Sequence, residues 1–130
     1  MINYPFSLED EDSLILVDCR SEGENLVFAL DTGASSTVID LAALIVAGYS
    51  IEDAIGKAEL ETANGCVEAL LFVIREFSAL GITRRNMEIC AYDFFGAEVF
   101  AAIHGTLGLD FFKNTDLSIS FKRFEITVSY

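Results

Sequence analysis

The chain has no tryptophan, one proline, one histidine, three cysteines and only eight basic residues among 130. Each scarcity excludes something. Eight Lys and Arg against 21 Asp and Glu leave a formal net charge of −13. That balance disfavours nucleic acid, because phosphate recognition depends on cationic side chains, and it disfavours anionic membrane surfaces for the same reason. Neutral, apolar or basic partners, peptides among them, remain open. Cys19, Cys66 and Cys90 are odd in number and widely spaced, which fits neither a disulfide framework nor a metal-ligand spacing. They are expected to be free thiols buried as small apolar side chains, in a reducing compartment that is taken as cytoplasmic.

Other absences narrow the chemistry. No nucleophile-elbow pattern surrounds any serine, so the lone His104 is read as structural and not as part of a triad. The acidic residues lack the spacing of a calcium loop, and the segment from Gly105 to Gly108 lacks the lysine of a phosphate loop. The longest apolar run, residues 41–47, is too short to span a bilayer. Residues 1–12 carry acids without the basic flank and apolar stretch of a secretory leader. With Pro5 alone, no linker and no repeat, one domain is expected over residues 14–130, preceded by an acidic lead-in over residues 1–13.

What is present is apolar and β-rich. Hydrophobic residues make up 52% of the chain and charged residues 22%, enough to build a core. Residues 14–19 and 26–30 read as antiparallel strands around the turn residues 21–25. Asp40 is placed to cap a short helix over residues 41–47, with Gly48 just past its end. Ser50 and Asp53 form a capping-box pattern for a second short helix ending at Gly56. Residues 58–62 and 66–77 are strand-like and joined by Ala63-Asn64-Gly65, a strong hairpin signal because Asn-Gly accepts positive φ. Leu80-Gly81 marks another turn and residues 87–92 another strand. Residues 94–103 are ambiguous between helix and strand, residues 105–112 interrupt the pattern, and residues 117–121 and 123–128 read as a closing hairpin. Ser35 and Ser36 are read as turn residues, and Phe94-Phe95 and Phe111-Phe112 as core or subunit interface.

Asp31-Thr32-Gly33 follows the apolar strand Val27-Phe28-Ala29-Leu30 and precedes Val38-Ile39. The spacing puts a carboxylate at a strand end, on a sharp turn, in apolar surroundings. Gly33 allows the bend and brings its N–H near the carboxylate; Thr32 offers a hydroxyl to a neighbouring backbone group. Alone, the tripeptide is also an ordinary turn.

In order along the chain, however, residues 28–39, the Ala63-Asn64-Gly65 hairpin, Gly105-Thr106-Leu107-Gly108-Leu109-Asp110-Phe111-Phe112 and residues 117–128 resemble the retropepsin-like aspartic proteases. The resemblance covers residues 14–128 and implies an all-β fold, a closed barrel with one or two short helices, active as a two-fold homodimer. It implies an endopeptidase in which Asp31 from each chain is catalytic, supported by Thr32, Gly33 and Ala34. Ala63, Asn64 and Gly65 would cover a peptide or protein substrate, and Leu107, Gly108 and Asp110 belong to the second signature. No cofactor and no metal are implied. Two departures stand out: Thr106 replaces a usually apolar residue and Phe112 a common Leu. The hairpin tip also lacks a distinctive aromatic. Ala34 brings no hydroxyl to the carboxylate, so activity is expected at weakly acidic to near-neutral pH. Two other readings remain open: a non-proteolytic peptide-binding or dimerisation module on the same fold, and a structural β domain whose Asp-Thr-Gly is only a turn.

Overall fold

Alternating segments punctuated by residues that accept positive φ shape most of this molecule. The computed structural model describes residues 2–8, 14–62, 65–93 and 103–129. Among the described residues the strands are β1 (Ile2–Pro5), β2 (Leu16–Ser21), β3 (Glu24–Leu30), β4 (Val38–Asp40), β5 (Gly56–Thr62), β6 (Gly65–Ala79), β7 (Ile82–Tyr92), β8 (Gly105–Leu107), β9 (Asp116–Ser120) and β10 (Glu125–Ser129). One short helix, α1 (Leu41–Val46), and two 3-10 helices, Ile51–Asp53 and Leu109–Phe112, complete them.

In β2 the alternation is strict: Val17, Cys19 and Ser21 are buried while Leu16, Asp18 and Arg20 are exposed. The β2–β3 hairpin turns at Glu22 and Gly23, both at positive φ (54° and 85°), and the β6–β7 hairpin at Leu80 and Gly81 (51° and 73°). Such paired left-handed residues match the twist of the flanking strands.

β2 pairs with β3 on one edge and with the end of β6 on the other. The order β2-β3-β8-β4-β7-β6 therefore returns to β2, a closed six-strand barrel, with β5 added outside on β6. Phe28, Phe72, Phe77 and Phe111 are fully buried inside it. The Phe28–Phe77 and Phe77–Phe111 ring centroids lie 5.2 and 5.5 Å apart, tilted or edge-on, as aromatic quadrupoles prefer. A second sheet, β1-β10-β9, packs Ile126 and Val128 onto the core.

Several expectations change. Residues 2–5, placed in an acidic lead-in, form β1 on β10, with Phe6 N–H donating to Phe124 O at 2.9 Å; the apolar Ile2, Tyr4 and Phe6 outweigh the acids that follow. The capped helix after Asp40 is present, the Asp40 carboxylate accepting from Ala43 N–H. The helix expected to reach Gly56 stops at Asp53, because Ile55 N–H is taken by Leu71 O and Gly56 opens β5. Residues 105–112 are not an interruption but β8 followed by a 3-10 turn. Cys19 and Cys90 are buried, but Cys66 is exposed: it faces Glu61 on the protruding β5–β6 hairpin, away from the core. Residues 94–102, including Phe94 and Phe95, lie outside the described residues.

β6 changes partner along its length. Residues 65–71 pair with β5, while Phe77, Ser78 and Ala79 pair with β2. Between them, side chains take over the edge: Arg75 N–H donates to Tyr49 Oη (3.1 Å) and Glu76 N–H to Glu22 Oε1 (3.1 Å). Tyr49 in turn donates to Glu22 (3.0 Å), and the Arg75 guanidinium bonds Glu22 and lies 4.8 Å from the Tyr49 ring centroid. Burial would raise the Glu22 carboxyl, but the hydrogen bonds from Tyr49, Arg75 and the Glu76 backbone outweigh it and hold it below its ordinary value. Because folding lowers this pKa, its contribution is complete above the unfolded value of about 4.3 and fades as pH falls through the lower folded value. Tyr49→Phe is expected to cost roughly 1–2 kcal/mol by unpairing a backbone donor. Glu22→Gln should destabilise at neutral pH, with the gap to wild type closing towards about pH 3. Urea unfolding at both pH values checks this; a gap that widened on acidification would refute the assignment.

Candidate active site

The loop that leaves β3 is held from behind. Asp31 N–H donates to Leu107 O of β8 (2.9 Å), extending the parallel β3–β8 pairing to the end of the strand. The chain then turns: Gly33 N–H donates to Asp31 Oδ1 (3.0 Å) and Ala34 N–H to Asp31 O (3.2 Å). Asp31, Thr32 and Gly33 are all exposed in the single chain. A Cβ on Gly33 would lie 3.3 Å from Asp31 Oδ1, so a side chain there would crowd the carboxylate.

The return of the loop is clamped by the segment after β8. Thr37 is fully buried; its N–H donates to both oxygens of Asp110 (2.9 and 3.1 Å) and its hydroxyl donates to Asp110 Oδ1 (2.7 Å). The same hydroxyl accepts from Gly108 N–H (3.0 Å). Leu109 N–H donates to Ala34 O and Asp110 N–H to Ser35 O, so Ser35 enters the clamp through its backbone carbonyl. These contacts require close backbone approach. A Cβ at Gly108 would sit 2.6 Å from the Ser36 carbonyl, and one at Gly105 would sit 2.2 Å from Val38 O. Only glycine allows β8 to slot between β3 and β4.

Sequence reasoning named Asp31, Thr32, Gly33, Ala34, Leu107, Gly108 and Asp110, and the structure brings all of them together. It missed Thr37, whose signal was a polar residue directly before the apolar Val38-Ile39. His104 helps seat β8: its ring Nδ1 accepts from Val27 N–H (2.9 Å) and its backbone N–H donates to Val27 O (2.7 Å). With Nδ1 an acceptor, the neutral ring carries its proton on Nε2.

The β5–β6 hairpin is present, with Thr62 opposite Gly65 and Gly65 at φ 109°. Ala63 and Asn64 lie outside the described residues. Below the hairpin is a small second apolar cluster of Val38, Ala69 and Cys90, flanked by Ala58, Leu60, Leu71 and Tyr92. Apart from Cys90, expected as a buried thiol, sequence reasoning did not single out these residues; the alternation of β5 was the available signal. Burial raises the thiols: Cys19 to about 12, with Asp18 adding to the effect, and Cys90 upwards with Asp110 and Glu88 adding. A hollow of about 580 Å³ opens beside the clamp, lined by Thr37, Arg84, Glu88, Cys90 and Asp110 among others, and Asp31 does not line it. Among the described residues no group of three His, Cys, Asp or Glu side chains is arranged to hold a metal ion, and no helix is long and apolar enough to cross a membrane.

Thr37→Val keeps the shape of the clamp and removes its hydroxyl, leaving Gly108 N–H unpaired. A loss of roughly 1–3 kcal/mol in unfolding free energy is expected, read by denaturant titration. A variant as stable as wild type would mean the hydroxyl does not hold the loop.

Known proteins match this arrangement. A sequence model of the aspartyl protease family matches residues 17–111, from β2 through Phe111. Among solved structures, a retropepsin-like aspartic protease from Rickettsia conorii superposes with a TM-score of 0.73 over 97% of this chain and 89% of that one, at 16% identity, a likeness of fold. No curated protein matches. With the family match spanning well over half of its length, the chain belongs to the aspartyl protease family, and its fold is similar to that of a retropepsin-like enzyme.

Proposed function

We propose that the protein is an aspartic endopeptidase whose active site is formed by Asp31 from each of two copies. The observation that carries this reading is the presentation of Asp31: a single exposed carboxylate on a turn locked from behind by β8 and the Thr37–Asp110 clamp. One carboxylate does not suffice for the chemistry. Two carboxyl groups brought face to face cannot both ionise easily and share one proton. The ionised member takes a proton from water as the water oxygen attacks the scissile carbonyl carbon; the protonated member donates to the carbonyl oxygen. Proton transfer to the amide nitrogen then releases the amine as the C–N bond breaks, and the carbonyl re-forms.

A two-fold axis through the pair supplies the second group without a second motif in the chain. In this reading Thr32 of each copy braces the loop of the other, Gly33 N–H steadies the carboxylate, and the β5–β6 hairpin with Ala63, Asn64 and Gly65 closes over a peptide bound in extended form. The apolar cluster under the hairpin, around Val38 and Leu60, is where an uncharged substrate side chain would rest.

Cleavage of a mixed peptide library, followed by mass spectrometry from about pH 4 to about pH 7, tests the reading. Products are expected from wild type and not from Asp31→Asn, a loss of at least about a thousandfold. The rate per chain should rise with enzyme concentration until the dimer saturates. A folded dimer without Asp31-dependent products would point instead to a peptide-binding or dimerisation module. Ala34→Ser adds a hydroxyl beside Asp31, and a donor to a carboxylate favours its charged form. The acid limb of the pH–rate profile is therefore expected to move to lower pH; an unmoved limb would show that position 34 does not reach the carboxylate.

A further inference from the structure

The 3-10 turn that carries Asp110, Leu109–Phe112, needs an anchor of its own. Its first residues grip the Asp31 loop, Leu109 N–H donating to Ala34 O and Asp110 N–H to Ser35 O. At its exit the carbonyls have no partner within the turn, as at any helical terminus. Phe112 O is satisfied locally, by the N–H and hydroxyl of Thr115 (3.2 and 2.7 Å). Phe111 O and Lys113 O are reached from across the molecule by one side chain. Arg84 of β7 donates from Nε to Phe111 O (2.9 Å) and from a terminal guanidinium nitrogen to Lys113 O. The same guanidinium lies 5.9 Å from the centroid of the Phe111 ring, which is fully buried.

β7 also holds the other half of the clamp. Cys90 N–H donates to Thr37 O (3.2 Å), and Val38 pairs with Cys90 in the parallel β4–β7 register. Thr37 and Asp110 therefore meet between two anchor points on one strand, Cys90 and Arg84. The anchors are six positions apart, about 20 Å along an extended strand. Pairing with β6 fixes the strand at both, with Arg84 opposite Phe77 and Cys90 opposite Leu71. We propose that Arg84 is a positioning residue for Asp31: by tying the exit of the Leu109–Phe112 turn to β7, it sets Asp110 against Thr37 and so fixes how the loop presents its carboxylate. The inference rests on the reading of Asp31 as the reacting group. Arginine suits the task because its planar fork reaches two carbonyls at once, whereas a lysine ammonium carries the charge without the fork. A guanidinium also stays charged throughout the pH range of the reaction, so this hold does not titrate.

Peptide cleavage by the full chain tests this, at enzyme concentrations where the rate per chain no longer rises. Wild type is compared with Arg84→Ala, with Arg84→Lys, and with Arg85→Ala as a control that removes the same charge from the exposed Arg85–Glu76 pair. Both Arg84 variants are expected to lose at least about tenfold in kcat, as a slightly misplaced reacting group does, with KM within about twofold of wild type. Arg85→Ala should match wild type. The hollow of about 580 Å³ beside Arg84 and Asp110 admits a small cation. Guanidinium chloride at about 20 mM, far below denaturing concentrations, is therefore expected to restore part of the lost kcat in Arg84→Ala, and equal sodium chloride is not. Hydrogen exchange read by mass spectrometry supplies a measure independent of cleavage: peptides covering residues 31–37 and 108–110 should exchange faster in both Arg84 variants and not in Arg85→Ala. Circular dichroism melting checks folding. Folded Arg84 variants with wild-type kcat or wild-type exchange overturn the proposal. A raised KM with unchanged kcat overturns it in favour of a substrate contact, and failure of both variants to fold overturns it in favour of a purely structural role. If wild type shows no Asp31-dependent cleavage, the protease reading falls and the exchange result alone decides whether Arg84 positions the loop.

Discussion

Asp110 accepts hydrogen bonds from both the backbone and the hydroxyl of Thr37, 73 residues earlier in the chain. This contact, more than any other, keeps the Asp31 loop in place. The carboxylate is costly to displace because its partner Thr37 is fully buried, so the freed N–H and hydroxyl would have to be solvated where water does not reach,. The clamp works only because β8 enters between β3 and β4 at Gly105 and turns against Ser36 at Gly108. The two acids of the candidate site therefore have opposite roles. Asp110 is spent on structure, turned inward and bonded; Asp31 has one oxygen held by Gly33 N–H and is left facing outward.

Barrel closure sets the stage for that loop and carries its own constraint. β6 is long enough to serve two neighbours, β5 along its first half and β2 at its end. Where neither strand reaches, a polar network of Glu22, Tyr49 and Arg75 supplies the missing partners. Unpaired backbone groups in mid-strand would otherwise weaken the ladder at the seam. The network ties the β2–β3 turn, the segment after α1 and the middle of β6, so the hairpin that overhangs the apolar cluster is anchored to the barrel at its base.

Charge and apolar surface divide the labour in this molecule. A net charge of −13 on 130 residues keeps identical chains apart at long range,. The outer face of the β1-β10-β9 sheet is hydroxyl- and amide-rich, with Asn3, Thr127 and Ser118 aligned across it.

By itself the sequence determined the local elements: the alternation of β2, the Asp40-capped helix, the hairpin turns at Leu80-Gly81 and between β5 and β6, and the candidate loop, with its second signature in the right order. Those features depend on neighbours a few residues away, where side-chain period and turn chemistry decide the outcome. Tertiary structure alone decided the rest. β1 and β8 are four- and three-residue strands, too short for periodicity to reveal, and they exist because β10, β3 and β4 offer them partners. Thr37 became part of the clamp, His104 a backbone acceptor and Glu22 a seam residue only once distant segments met. Cys66 became exposed because the hairpin that carries it projects beyond the core. Long-range hydrogen bonding and burial leave no local pattern in the chain, and that is why they could be seen only in the fold.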